Sequence, residues 1–233
     1  MDLSDVRKRV DFLNRTEVQR TLTGLTFMAV GTFLLWIPYI QYLGYLLNIA
    51  GVVLMYLGSD AFDAAHGSYI IASILFYFVA TVILLIATSS FLSSITQVLV
   101  GNASNSTKIL ELRSNLYTFI SISGVCSSLV GLAFVLLTWK INDRTGHYLL
   151  LTGLTLIIGL TVVVGIFLFG YLSNVFTSYI GGASASSVIS SLSAEKGTLY
   201  LVDAIPYTLF ALTYSRTRSK ITNLSPAPNV TAS

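Results

Sequence analysis

The chain has 233 residues, of which 54% are hydrophobic and only 10% charged, with a mean hydropathy of +0.78. Soluble domains carry about 25% charge, so this composition excludes an ordinary water-facing surface and points to an integral membrane protein. The net charge of +3 gathers at span ends and termini, where membrane topology accounts for it, so the bilayer and not nucleic acid is the expected partner.

Residues 1–20 hold nine charges, unlike a signal peptide, and no cleavage is expected. Leu3, Val6, Val10 and Leu13 recur at helical spacing. They predict an amphipathic cytoplasmic lead-in. Residues 21–59 lack Asp, Glu, Lys and Arg, with Pro38 near the middle. Proline breaks a helix, so two short spans, about 21–37 and 41–58, are predicted with a tight turn between them. Residues 64–107 are again free of those four types and predict span 3 at about 68–92, then a polar segment to about 113. Span 4 follows at 114–139. From 145 to 194 the chain is uncharged except for His147. Its first half predicts span 5 at about 147–172. Its second half, Gly181-Gly182-Ala183-Ser184-Ala185-Ser186-Ser187, predicts a loop or re-entrant segment. Span 6 is expected at about 198–214, short and interrupted by Pro206. Residues 215–233, with Pro226 and Pro228, are expected to be a disordered cytoplasmic tail. In lipid an isolated apolar run satisfies its backbone only as a helix. The fold class expected is therefore all-α, a polytopic bundle of six transmembrane helices over 21–214.

Lysine and arginine set the orientation. With both termini cytoplasmic, ten of the thirteen lie inside and only Lys108, Arg113 and Lys196 outside, which satisfies the positive-inside rule in a cell membrane. The sequons at Asn102 and Asn105 then fall in the outer loop between spans 3 and 4, where glycosylation is compatible with the topology.

Glycines recur at fixed offsets. Gly24 and Gly31 of span 1 are echoed by Gly124 and Gly131 of span 4. Gly44 and Gly51, flanking Tyr45-Leu46-Leu47, are echoed by Gly146 and Gly153, flanking Tyr148-Leu149-Leu150. The pattern suggests that spans 1–3 are repeated, inverted, as spans 4–6. Close helix packing explains the same residues without ancestry: glycines seven apart share one face, and Gly44, Gly51 and Gly58 make a smooth stripe.

Few residues offer chemistry. Asp203 is the one strongly ionisable residue inside an expected span, and Pro206 frees a carbonyl nearby. Together they suggest an ion or proton path on a broken helix. An interfacial Asp203 bonded to local backbone or Lys196 is the competing explanation. Asp60, Asp63, His66 and His147 fall on one expected side and could ligate a divalent metal. A solvated helix cap explains the aspartates equally well, so no metal or other cofactor is expected. Cys126, the one cysteine, is expected to be a buried inert thiol. No nucleophile elbow, zinc-protease motif, phosphate loop or Cys-x-x-Cys is present. The expectation is a non-enzyme.

Over Ile37-Pro38-Tyr39-Ile40-Gln41-Tyr42-Leu43-Gly44, Ile49-Ala50-Gly51-Val52-Val53-Leu54 and Gly58, the chain resembles small multi-pass membrane proteins known mainly from archaeal genomes and grouped as domains of unknown function. The resemblance covers spans 1–3 and implies no reaction. Two functional classes fit. The first is a structural or accessory membrane component, alone, as a homo-oligomer or within a larger complex. The second is a small transporter or channel built on an inverted repeat.

Overall fold

The computed structural model describes residues 15–101, 104–182 and 185–223, and at 64, 99 and 185–203 it describes the backbone alone. Among the described residues six α-helices follow one another: α1 Thr16–Leu34, α2 Gln41–Leu57, α3 Ala64–Val100, α4 Asn105–Thr138, α5 Arg144–Ile180 and α6 Ala185–Asn223. Two short 3₁₀ turns, Ser59–Ala61 and Trp139–Ile141, precede α3 and α5, and no strand occurs among the described residues.

Helices α3 and α5, with the continuous run Asn105–Ile141, are long and apolar enough to cross a membrane. Their flanks carry large apolar side chains in the open: Phe78 is 64% exposed, Leu85 66%, Val163 63% and Ile166 70%. Contiguous apolar surface of that kind is the mark of a membrane protein, not of a soluble one. Helix α2 is apolar but shorter.

The long helices outrun the expected spans. At 1.5 Å per residue, the 37 residues of α3 or α5 measure about 55 Å, against about 30 Å of hydrocarbon. The polar segment expected after residue 92 is helical to Val100 and again from Asn105. Much of the Ser/Gly stretch expected as a loop is helical, because α5 persists to Ile180, a turn follows at Gly181 and Gly182, and α6 runs from Ala185. Serine and threonine tolerate a helix when their hydroxyls fold back onto it, as Thr88 Oγ1 does to the Leu84 carbonyl at 2.8 Å, Thr96 Oγ1 to that of Leu92 at 3.0 Å and Thr177 Oγ1 to that of Ser173 at 2.8 Å. A glycine follows the end of α5: Gly182 has a φ of +100°, open to a residue without a side chain. The expected tail is likewise helical as far as Asn223, with Thr217 and Ile221 buried. Of the expected lead-in, residues 16–20 are the first turns of α1, and residues 1–14 lie outside the described residues.

The expected break at Pro38 is present. The chain turns over residues 35–40, with Tyr39 at a φ of +70°. Helices α1 and α2 then pair antiparallel along their glycines. A β-carbon on Gly24 would lie 2.7 Å from the Gly51 carbonyl oxygen, and one on Gly51 would lie 2.9 Å from that of Gly24. Gly31 and Gly44 repeat this at 2.8 and 2.7 Å, and Gly58 faces the Glu17 carbonyl and Thr21. Each glycine's vacant position is filled by the opposing backbone, an approach that only small residues allow. Thr32 Oγ1 donates to Asn48 Oδ1 at 3.2 Å inside the same seam.

The chain divides into two compact units. The first takes the described parts of 1–74, 133–153 and 204–233. Its core includes Leu25, Met28, Met55, Ile70, Leu137, Leu150, Phe210 and Tyr214. Tyr214 donates to the Phe134 carbonyl at 2.9 Å, and Ser73 to that of Ala133 at 2.8 Å. Gly153 receives the Phe210 ring. The second unit takes the described parts of 75–132 and 154–203. Its core includes Ala80, Ala87, Leu112, Leu116, Cys126 and Ile157, with Phe91 stacked on Phe119 at 4.6 Å. Gly131 there meets Leu154 and Ile157, and Gly124 meets Thr161. Reciprocal glycine–backbone pairing belongs to the first hairpin, whereas the glycines of the second series accommodate neighbouring side chains.

Candidate functional site

The densest polar chemistry among the described residues lies in the first unit, where the turn 139–143, the start of α3 and the end of α6 come together. Asp143 ends the turn and caps α5: its Oδ1 accepts the Gly146 N–H at 2.8 Å. Its Oδ2 lies 3.3 Å from Nη2 of Arg216. The Gly146 hydrogen bond holds the Asp143 carboxyl below the usual carboxylate range. Slight burial opposes it, and the Arg216 and Lys220 charges reinforce it. Beside it, Asn142 reaches back through Nδ2 to Thr138 Oγ1 at 3.0 Å, and its Oδ1 meets the Thr217 hydroxyl at 2.5 Å. These bonds tie the turn to α6.

His147, counted in the sequence with the metal-capable group, is engaged elsewhere. Its Nε2 is 2.7 Å from the Trp139 carbonyl and its ring packs on that indole at 4.2 Å. No group of three or more His, Cys, Asp or Glu side chains is assembled for a metal among the described residues. Asp63 is an exposed cap, accepting the Ala65 N–H at 3.3 Å.

His66 is different. It is 0% exposed, and neither ring nitrogen has a hydrogen-bond partner. The Phe62 ring meets it edge-on at 5.7 Å. It lines a cavity of about 240 Å³ together with Phe62, Asp63, Lys140, Ile141, Lys220 and Ile221. Lys140 also lies 5.6 Å from the centroid of the Tyr69 ring. The sequence gives no sign of this gathering, because the two lysines stand far from His66 along the chain.

The remaining candidates are dispersed. Pro206 is buried within α6, where it cannot donate to the preceding turn. Asp203 is in the same helix, but its side chain lies outside the described residues. Asn105 is exposed at the start of α4, whereas Asn102 lies outside the described residues. In the second unit, α4 and α5 frame an apolar groove of about 540 Å³, lined by Tyr117, Gly124, Ser128, Thr161, Gly165 and Phe169 among others.

No family model, curated protein or solved structure matches this chain.

Proposed function

We propose that the chain is a six-span protein of the cell membrane with both termini cytoplasmic, acting as a non-catalytic structural or accessory component. The observation that carries this reading is the glycine seam of α1 and α2. It spends its small residues on close backbone packing, while large apolar side chains such as Phe78, Leu85 and Ile166 face outward. Three hydroxyls buried in the first unit, those of Ser73, Thr213 and Tyr214, bond to backbone carbonyls in the same way. A protein of this kind works through its neighbours, as a homo-oligomer or within a larger membrane complex. Cross-linking in native membranes, followed by purification of the tagged full chain, should recover a defined stoichiometric assembly. Recovery of a lone monomer at every cross-linker concentration would overturn the assignment.

A second reading follows from Pro206. A proline inside a helix of a membrane protein leaves a carbonyl without its N–H partner, and Asp203 stands three residues before it. The corresponding function is a small transporter or channel, with spans 1–3 and 4–6 as inverted halves. Proton or solute flux in reconstituted vesicles, abolished by Asp203→Asn, would favour it over the accessory role.

A further inference from the structure

We propose that the cavity bounded by His66, Lys140 and Lys220 is a binding site for a phosphate group. Three independent features of the site meet there. First, burying an imidazole with both nitrogens unpaired is costly, and His66 is fully buried at the cavity wall with neither nitrogen engaged. Second, two lysines, Lys140 and Lys220, line the cavity with one acidic residue, Asp63, whose carboxylate already accepts the Ala65 N–H. Third, Phe62 and Ile221 give the cavity an apolar wall. A phosphate oxygen would accept the imidazole N–H while Lys140 and Lys220 balance its charge. Basic pockets between helix ends, close to the membrane surface, suit anionic headgroups. The same chemistry would hold a free phosphate.

The test uses the purified full chain in detergent, titrated in native mass spectrometry with phosphatidylglycerol, with diacylglycerol of the same acyl chains, and with inorganic phosphate. Phosphatidylglycerol should bind more tightly than diacylglycerol. Each lysine near an anionic group contributes about fivefold, so the Lys140→Ala/Lys220→Ala variant should bind about 25-fold more weakly. Arg218→Ala removes an exposed charge from the same helix end but outside the cavity and should change binding less than twofold. His66→Phe keeps a ring against Phe62 and should also weaken binding. Should that variant fail to fold, the two exposed lysines decide the matter. If inorganic phosphate binds as tightly as the lipid and responds to the same variants, the site serves a free anion. If phosphatidylglycerol binds no better than diacylglycerol and inorganic phosphate does not bind, the proposal falls. It also falls if Arg218→Ala weakens binding as much as the lysine pair does. No protein partner enters this measurement, so its failure leaves the accessory assignment untouched.

Discussion

Gly24→Ala tests the hairpin seam directly. The added methyl would sit 2.7 Å from the Gly51 carbonyl oxygen, 2.7 Å from Met55 Cγ and 3.0 Å from the Met55 nitrogen. The Met55 side chain can move, but the backbone atoms cannot. Ordinary contact begins at 3.4 Å, so the two helices must part by roughly 0.7 Å, a shift that reaches Gly31 and Gly44 two turns further along. Overpacking of this kind costs about 1–3 kcal/mol. Alanine's better helix propensity returns about 0.5–1 kcal/mol, leaving a net loss of about 1 kcal/mol at the centre of these ranges. Gly159→Ala is the control, because nothing lies within 4 Å of its missing β-carbon; it should be neutral or slightly stabilising. Gly24→Ala with Gly51→Ala should cost less than the sum of the two, since helices already parted make room for the second methyl. Unfolding in mixed micelles titrated with sodium dodecyl sulfate, followed by circular dichroism, reads the parent and the four variants. Equal midpoints for Gly24→Ala and Gly159→Ala, or strict additivity in the double variant, would refute the reasoning.

Two further perturbations probe the turns. At Asp143 the folded-state pKa is depressed. Its stabilising contribution is therefore complete above the ordinary aspartate value of about 3.9 and vanishes as pH falls through the folded-state value. Asp143→Asn keeps an acceptor for the Gly146 N–H but removes the charge, so its stability should vary less with pH below about 4; Asp143→Ala loses the cap and about 1 kcal/mol at neutral pH. Acid titrations of the three proteins check both. Tyr39, 93% exposed with a φ of +70°, holds a conformation that costs a side-chain-bearing residue about 1–2 kcal/mol. Tyr39→Asn should raise the unfolding midpoint in the same detergent titration by up to about 1 kcal/mol; a lower midpoint would show that the aromatic ring anchors the turn instead.

Much of the architecture was legible. The absence of charge located the apolar helices, and Pro38 divided the first run. The heptad spacing of Gly44, Gly51 and Gly58 announced a packing stripe whose partners proved to be Gly31, Gly24 and the backbone near Glu17. What hydropathy missed was the length of the later helices. Apolarity reports where lipid touches a helix, not where the helix ends, and residues 93–113 and 173–197 lose apolar character without gaining a proline. A cap was available at Ser104, whose Oγ receives the Thr107 N–H at 3.4 Å just ahead of α4. The candidate site was the least legible part. The sequence grouped His66 with Asp60, Asp63 and His147 by nearness and side, whereas folding kept only Asp63 of these at its cavity and added Lys140 and Lys220. Contacts between residues so far apart follow from how the helix ends meet, and no local pattern encodes that.

The seam between α1 and α2 carries an ambiguity of its own. Its glycines repeat every seven residues, so sliding one helix by a heptad would set Gly24 opposite Gly58 and Gly31 opposite Gly51, another smooth fit. Small residues alone therefore cannot choose the alignment. The Thr32–Asn48 hydrogen bond can, because a slip of about 10 Å would carry Asn48 away from the Thr32 hydroxyl that it meets at 3.2 Å. One polar pair thus acts as the ruler of an otherwise repetitive seam, and Asn48→Leu would leave the glycines free to take a second register.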